Sequence, residues 1–161
     1  MPYPWLLYAH LASVAGFLLA HGSAAAMSFV LRRQQGTDRL RALLDLSLLS
    51  APLTYVFLLL VIATGVALGF AGHWWASGWI WVSLAVLVVV AAAMIGLGMR
   101  YNAVRPALGV PRGSRGADAP VSQTDPDEVQ RALAATQPVT IALVGVVAVL
   151  VLLWLMIEKP F

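Results

Sequence analysis

Four long apolar stretches constrain this chain more than any other feature. They run over about 5–31, 46–71, 79–99 and 138–157. A hydrocarbon layer about 30 Å thick takes about 20 helical residues to cross, and each stretch is long enough. In lipid every backbone amide and carbonyl must be satisfied within the structure, which leaves helices or a closed barrel. The alternating ten-residue pattern of a barrel strand is missing, so the segments read as helices.

Composition excludes the rival classes. Of 161 residues, 61% are hydrophobic and 11% charged, against about 45–50% and about 25% in soluble domains. A water-soluble domain, a disordered chain and a disulfide-rich secreted module are all ruled out. The chain has no cysteine, which removes disulfides, thiolate metal sites and iron–sulfur clusters. P-loop, GxSxG and HExxH motifs are absent, as is an aromatic-basic pattern for nucleic acid. The expected fold is therefore all-α: a single domain over 1–161, a polytopic membrane protein with four transmembrane helices in an up-down bundle.

Charge sets the expected orientation. Arg32, Arg33, Arg39 and Arg41 follow the first span, and Arg100, Arg105, Arg112, Arg115 and Arg131 lie between the third and fourth. Lys159 alone falls on the other side. Basic residues collect on the cytoplasmic side of membrane proteins, so both Arg-bearing loops are expected inside, and both termini outside. Trp5, Tyr8, Trp74, Trp75, Trp79, Trp81, Trp154 and Phe161 mark the outer headgroup level, with Tyr101 and the arginines anchoring the inner one. Ala24-Ala25-Ala26 resembles a signal-peptide cleavage site, but no basic residue precedes the apolar stretch and two follow it, which reads as a retained span. Arginine dominance with the Ala/Leu/Val bias points to a GC-rich bacterial genome and an inner-membrane location.

The segment 100–136 is the one sizeable polar stretch. Pro106, Gly109, Pro111, Gly113 and Gly116 punctuate its first half as irregular chain. In its second half Asp125 is a good N-cap, Pro126 suits the first helical position and Glu128 stands where a capping-box partner would. This predicts a short helix over about 126–136 with a bend near Pro138. Thr37 or Asp38 is expected to cap an inward extension of the second helix, in which Pro52 marks a kink.

Ionisable groups inside a span are rare and raise the question of a site. His10 and His21 are eleven residues apart, which returns within about 20° of one helix face and separates them by about 16 Å. Neutral imidazoles along one face suit haem ligation or proton relay. No histidine lies in the other spans, and His73 sits in the outer turn, where His10 can meet it. Tyr55 and Met94 are weaker neighbours for His21. The candidate cofactor residues are thus His10, His21 and His73, with haem b the candidate cofactor. The plainer reading is a hydrogen bond from His21 to a Ser, Thr or backbone carbonyl of a neighbouring helix. Asp45 follows Arg41 by four residues, suited to a helix ion pair at the inner interface. Small residues recur at Ala12, Gly16, Ala20, Ala24 and Ser28, at Gly65 and Gly69, and at Ala92, Gly96 and Gly98, for close helix contact within the chain.

Short motifs add a resemblance. Tyr8-Ala9-His10-Leu11-Ala12, Ala51-Pro52, Thr64-Gly65, the Trp-rich turn up to Trp79-Ile80 and the ending Leu155-Met156-Ile157-Glu158-Lys159-Pro160 resemble a family of bacterial four-helix integral membrane proteins of unknown function. That family is loosely similar to the membrane domain of copper-resistance CopD-like proteins. A glycine pair usually follows the first-helix histidine there; Ala20-His21-Gly22 departs from it. The resemblance implies a fold and an inner-membrane location and brings no reaction with it.

Three functions are expected in descending order. The first is a non-catalytic accessory or assembly subunit, with the lipid bilayer and a homo-oligomer or larger membrane complex as partners and no nucleic acid. The second is a haem b- or copper-related redox protein using His10 and His21. The third is a small transporter or channel subunit, for which Asp45 is the one carboxylate near a span.

Overall fold

The computed structural model describes residues 3–34, 36–110 and 125–160. Arg112, Arg115, Phe161 and the glycines and prolines of 111–124 lie outside them. Every regular element among the described residues is helical: α1 (Tyr3–Arg33), α2 (Thr37–Ala71), a single 3₁₀ turn (Trp74–Ala76), α3 (Gly78–Asn102), α4 (Val104–Ala107), α5 (Pro126–Ala135) and α6 (Pro138–Glu158). Four of these helices are long and apolar enough to cross a membrane, two of them running on through α4 and α5. The most extensive contact is α1 against α2, followed by α3 against α6, and α1 also packs on α6.

Most apolar side chains of the spans face outward, and the packed core lies elsewhere. It sits at the Arg-rich end, where Leu31 of α1 and Leu40 and Leu44 of α2 meet Val104, Ala107, Leu108 and Val110 around α4, and Val129 and Leu133 of α5. Physics explains the distribution. Between helices in lipid there is no hydrophobic driving force, since tails are as apolar as leucine. Next to water, each fully buried leucine or valine contributes about 1.5–3 kcal/mol. The Arg-rich end is therefore folded as a small soluble core is folded, on top of four loosely covered spans.

Local sequence builds this plate. Asp125 accepts a hydrogen bond from the Asp127 amide (2.9 Å), and Pro126 occupies the first turn of α5. That cap was expected; the capping-box bond from Glu128 is not among the described hydrogen bonds. Val129 and Leu133, four residues apart, face the core, while Glu128, Gln130 and Arg131 stay exposed. Over 100–110, the described part of it, the expected irregular chain is instead helical with a tight ending. The Gly109 amide bonds to the Pro106 carbonyl (2.9 Å) and the Val110 amide to that of Arg105 (3.0 Å). With Gly109 at φ 70°, these two bonds form a Schellman cap. Glycine is required there because a left-handed turn sends Val110 back into the core.

Two further expectations need correction. α2 does extend to Thr37, but Gly36 is its N-cap and neither Thr37 nor Asp38 caps it. Tyr101 is no interfacial anchor: its ring packs against the core and its hydroxyl is buried.

At the Trp-rich end, Trp74 gathers the elements. Its ring takes the Tyr3 ring edge-on (6.1 Å between centroids) and carries the Lys159 ammonium over its face (4.1 Å). Trp79 stands beside it (5.5 Å). The start of α1, the end of α6 and the start of α3 are thus tied through one indole.

Candidate functional site

His10 lies in the α1/α2 interface and is 6% exposed. Its Nδ1 is 2.9 Å from the Thr64 hydroxyl. That hydroxyl has one proton, and it is directed to the Leu60 carbonyl of its own helix (2.6 Å). Nδ1 is therefore assigned as the donor. Gly65 makes the fit: a Cβ there would stand 3.3 Å from the imidazole Cε1. The Nδ1–H tautomer leaves the lone pair on Nε2, the arrangement a metal-ligating histidine adopts when its other nitrogen is tied. No group of three or more potential metal ligands occurs among the described residues.

His21 lies deeper and on different neighbours. It stacks on Phe17 of its own helix (5.6 Å, planes 10° apart). Its Nε2 reaches α6 at Gly145, where a Cβ would come within 3.0 Å of it, and the Met94 methyl of α3 stands 3.6 Å from the same point. Among the described residues His21 has no hydrogen-bond partner. It lines a groove of about 290 Å³ between α1 and α6, whose other walls are apolar. Of the two weaker neighbours expected for His21, Met94 is there; Tyr55 is 61% exposed.

The three histidines do not converge. One stripe of α1 does carry both His10 and His21, but it meets α2 near the Trp-rich end and α6 further down. His73 is exposed in the turn between α2 and α3, in a left-handed conformation with φ 56°. His10 faces Thr64, nine residues earlier along α2, hence about 13 Å deeper than His73. A bis-histidine site within one chain would have to bridge those separations.

A polar cluster that the sequence reading underweighted lies in the Arg-rich core. Arg105 is 4% exposed, donates to the Leu44 carbonyl and stands 3.6 Å from an Asp45 carboxylate oxygen. Arg41 donates to the Leu108 carbonyl (3.1 Å). Asp45 thus pairs with Arg105 across 60 residues of chain. The signal available was Arg105 itself, flanked by Val104 and by Ala107-Leu108. The arrangement clamps α4 to α2.

Among the small residues, Gly16 faces Phe57, Gly65 faces His10 and Gly69 faces Trp75 and Ile80, all contacts within the chain. Gly96 and Gly98 differ: a Cβ at either would meet nothing. No protein-family model, curated protein or solved structure matches the chain, so a functional reading rests on its own geometry.

Proposed function

We propose that this chain is a multi-pass bacterial inner-membrane protein acting as an accessory or assembly subunit, without reaction chemistry of its own. The observation that carries this reading is the use of His10. The buried histidine of α1, His10, is held by Thr64 over Gly65, as a tie between two helices. A buried imidazole so satisfied contributes to helix association in lipid, where such bonds average about 0.6 kcal/mol and reach about 1.7.

A reduced-minus-oxidised visible spectrum with metal analysis, on protein purified in mild detergent from haem-sufficient cells, tests it. Wild type, His10→Ala and His21→Ala are expected to be colourless and metal-free, with His10→Ala somewhat less stable. A b-type Soret band that disappears in His10→Ala would replace this reading with the redox one, the Nε2 lone pair then being an axial ligand.

The Arg-rich end is placed in the cytoplasm, with both termini outside, on the distribution of arginine. Because the chain has no cysteine, single cysteines report topology directly. Ala76→Cys is expected to react with an impermeant maleimide in intact spheroplasts, and Gln130→Cys only after permeabilisation. The reverse order would invert the assignment.

A further inference from the structure

We propose that the α1/α6 groove binds a lipid-soluble quinone, with the His21 imidazole donating a hydrogen bond to a ring carbonyl. His21 stands 18 residues from Tyr3 and 12 from Arg33, about 27 Å and about 18 Å along α1. Both distances place it well inside a hydrocarbon layer about 30 Å thick. A polar group at that depth without a partner is costly, and none of the described side chains or carbonyls satisfies this one.

The groove has a direction. On the Arg-rich side of His21 its walls are Gly22 and Ala25 of α1 and Ala142 of α6, all small. A Cβ at Gly22 would meet nothing within 4 Å, so the floor is open there. On the Trp-rich side the walls become Val146, Val149 and Leu150. A flat ring fits against the small floor beside the imidazole, and a branched hydrocarbon tail fits along the aliphatic wall. The volume, about 290 Å³, is at the lower edge of small-molecule sites, about 300–1,000 Å³. That suits one substituted ring and not a porphyrin.

Chemistry selects among the compounds dissolved in a membrane. The ester carbonyls of phospholipids lie at the interface, too far away to reach His21. An acyl chain fills the groove and leaves the imidazole unsatisfied. A quinone carries carbonyl acceptors on an apolar ring with a prenyl tail, matching donor, floor and wall together. The proposal concerns binding alone; no electron transfer is assigned to the site.

The test is saturation binding of radiolabelled decylubiquinone to the full chain in phosphatidylcholine nanodiscs, against empty nanodiscs. One saturable site per chain is expected. His21→Phe keeps the stack on Phe17 and loses the donor, and should weaken binding at least tenfold. Gly22→Leu fills the floor and should abolish it. Tyr55→Phe, on an exposed position of α2, should bind as wild type. Helical content and elution volume of each variant show whether it is folded. Absence of saturable binding by wild type overturns the proposal, as does wild-type affinity in either groove variant. A wild-type dimer that Gly22→Leu converts to monomer, with no quinone bound, would assign the groove to a second copy of the chain instead.

Discussion

Arg105→Met is expected to open the plate at the Arg-rich end while leaving the four spans folded. The guanidinium is almost wholly buried and reaches both the Leu44 carbonyl and Asp45. Removing one partner of a fully buried ion pair costs about 3–5 kcal/mol. Two details lower the figure here. Leu44's carbonyl also accepts from the Ser47 hydroxyl, so it is not orphaned. The Asp45 side chain is 27% exposed and can turn to water. About 2–3 kcal/mol remains, for the lost charged hydrogen bonds and the packing of the stem. Native-state amide exchange in detergent provides the measurement, because local opening is read residue by residue. Protection over 104–110 and 126–135 should fall by about 30- to 150-fold, the same energy expressed as a ratio. Protection in the middle of α1, α3 and α6 should hardly change. Arg105→Lys keeps the charge without the planar fork and should fall between. Equal loss over spans and plate would show that the two fold as one unit, and no loss at all would remove Arg105 from the clamp.

That plate is where sequence and structure part company, and the reasons are physical. Spans announce themselves by length, because a bilayer demands about 20 apolar residues whatever the neighbours are. The α5 helix was also legible, since Asp125-Pro126 is a local start signal and Val129 and Leu133 share a face. α4 was hidden by the same residues that built it. Pro106 and Gly109 mark irregular chain and Schellman caps alike, and only the burial of Leu108 and Val110 decides between them. The Arg105–Asp45 pair is nonlocal, beyond what spacing rules on one helix can reveal. For the histidines, the eleven-residue spacing correctly placed both on one stripe of α1. It could not tell which helix each would meet, because that depends on how α2 and α6 cross α1. Similarly, Gly16, Gly65 and Gly69 make the close contacts expected of them, whereas Ala12 is exposed and Gly96 and Gly98 meet nothing. A small-xxx-small row states that close approach is allowed and is silent on what approaches.

Gly16→Val is expected to loosen the α1/α2 contact, the largest in the molecule. A Cβ at Gly16 would stand inside the van der Waals envelope of the Phe57 ring. The ring must swing away or the helices must separate. Overpacking of this kind costs about 1–3 kcal/mol, and the upper half applies because a β-branched valine adds two methyl groups beyond the first collision. Gly96→Val is the matched control: its Cβ meets nothing, and exchanging glycine for valine inside a helix does not harm propensity. Thermal stability in mild detergent should therefore drop for Gly16→Val and hold for Gly96→Val. The double variant Gly16→Val with Phe57→Ala gives the decisive comparison. If the collision with the ring is the cause, truncating the ring returns stability, and the two changes couple by about 1–3 kcal/mol. Simple additivity would place the damage elsewhere. A local probe follows from the geometry about one and two-thirds turns away, since His10 and Gly16 both meet α2. Separation of α1 from α2 lengthens the His10–Thr64 hydrogen bond, so the His10 Nδ1 resonance in ¹⁵N spectra should move in Gly16→Val and return in the double variant. A His10 signal that ignores both changes would mean that Phe57 yields by rotation alone, leaving the helix pair and the histidine tie intact.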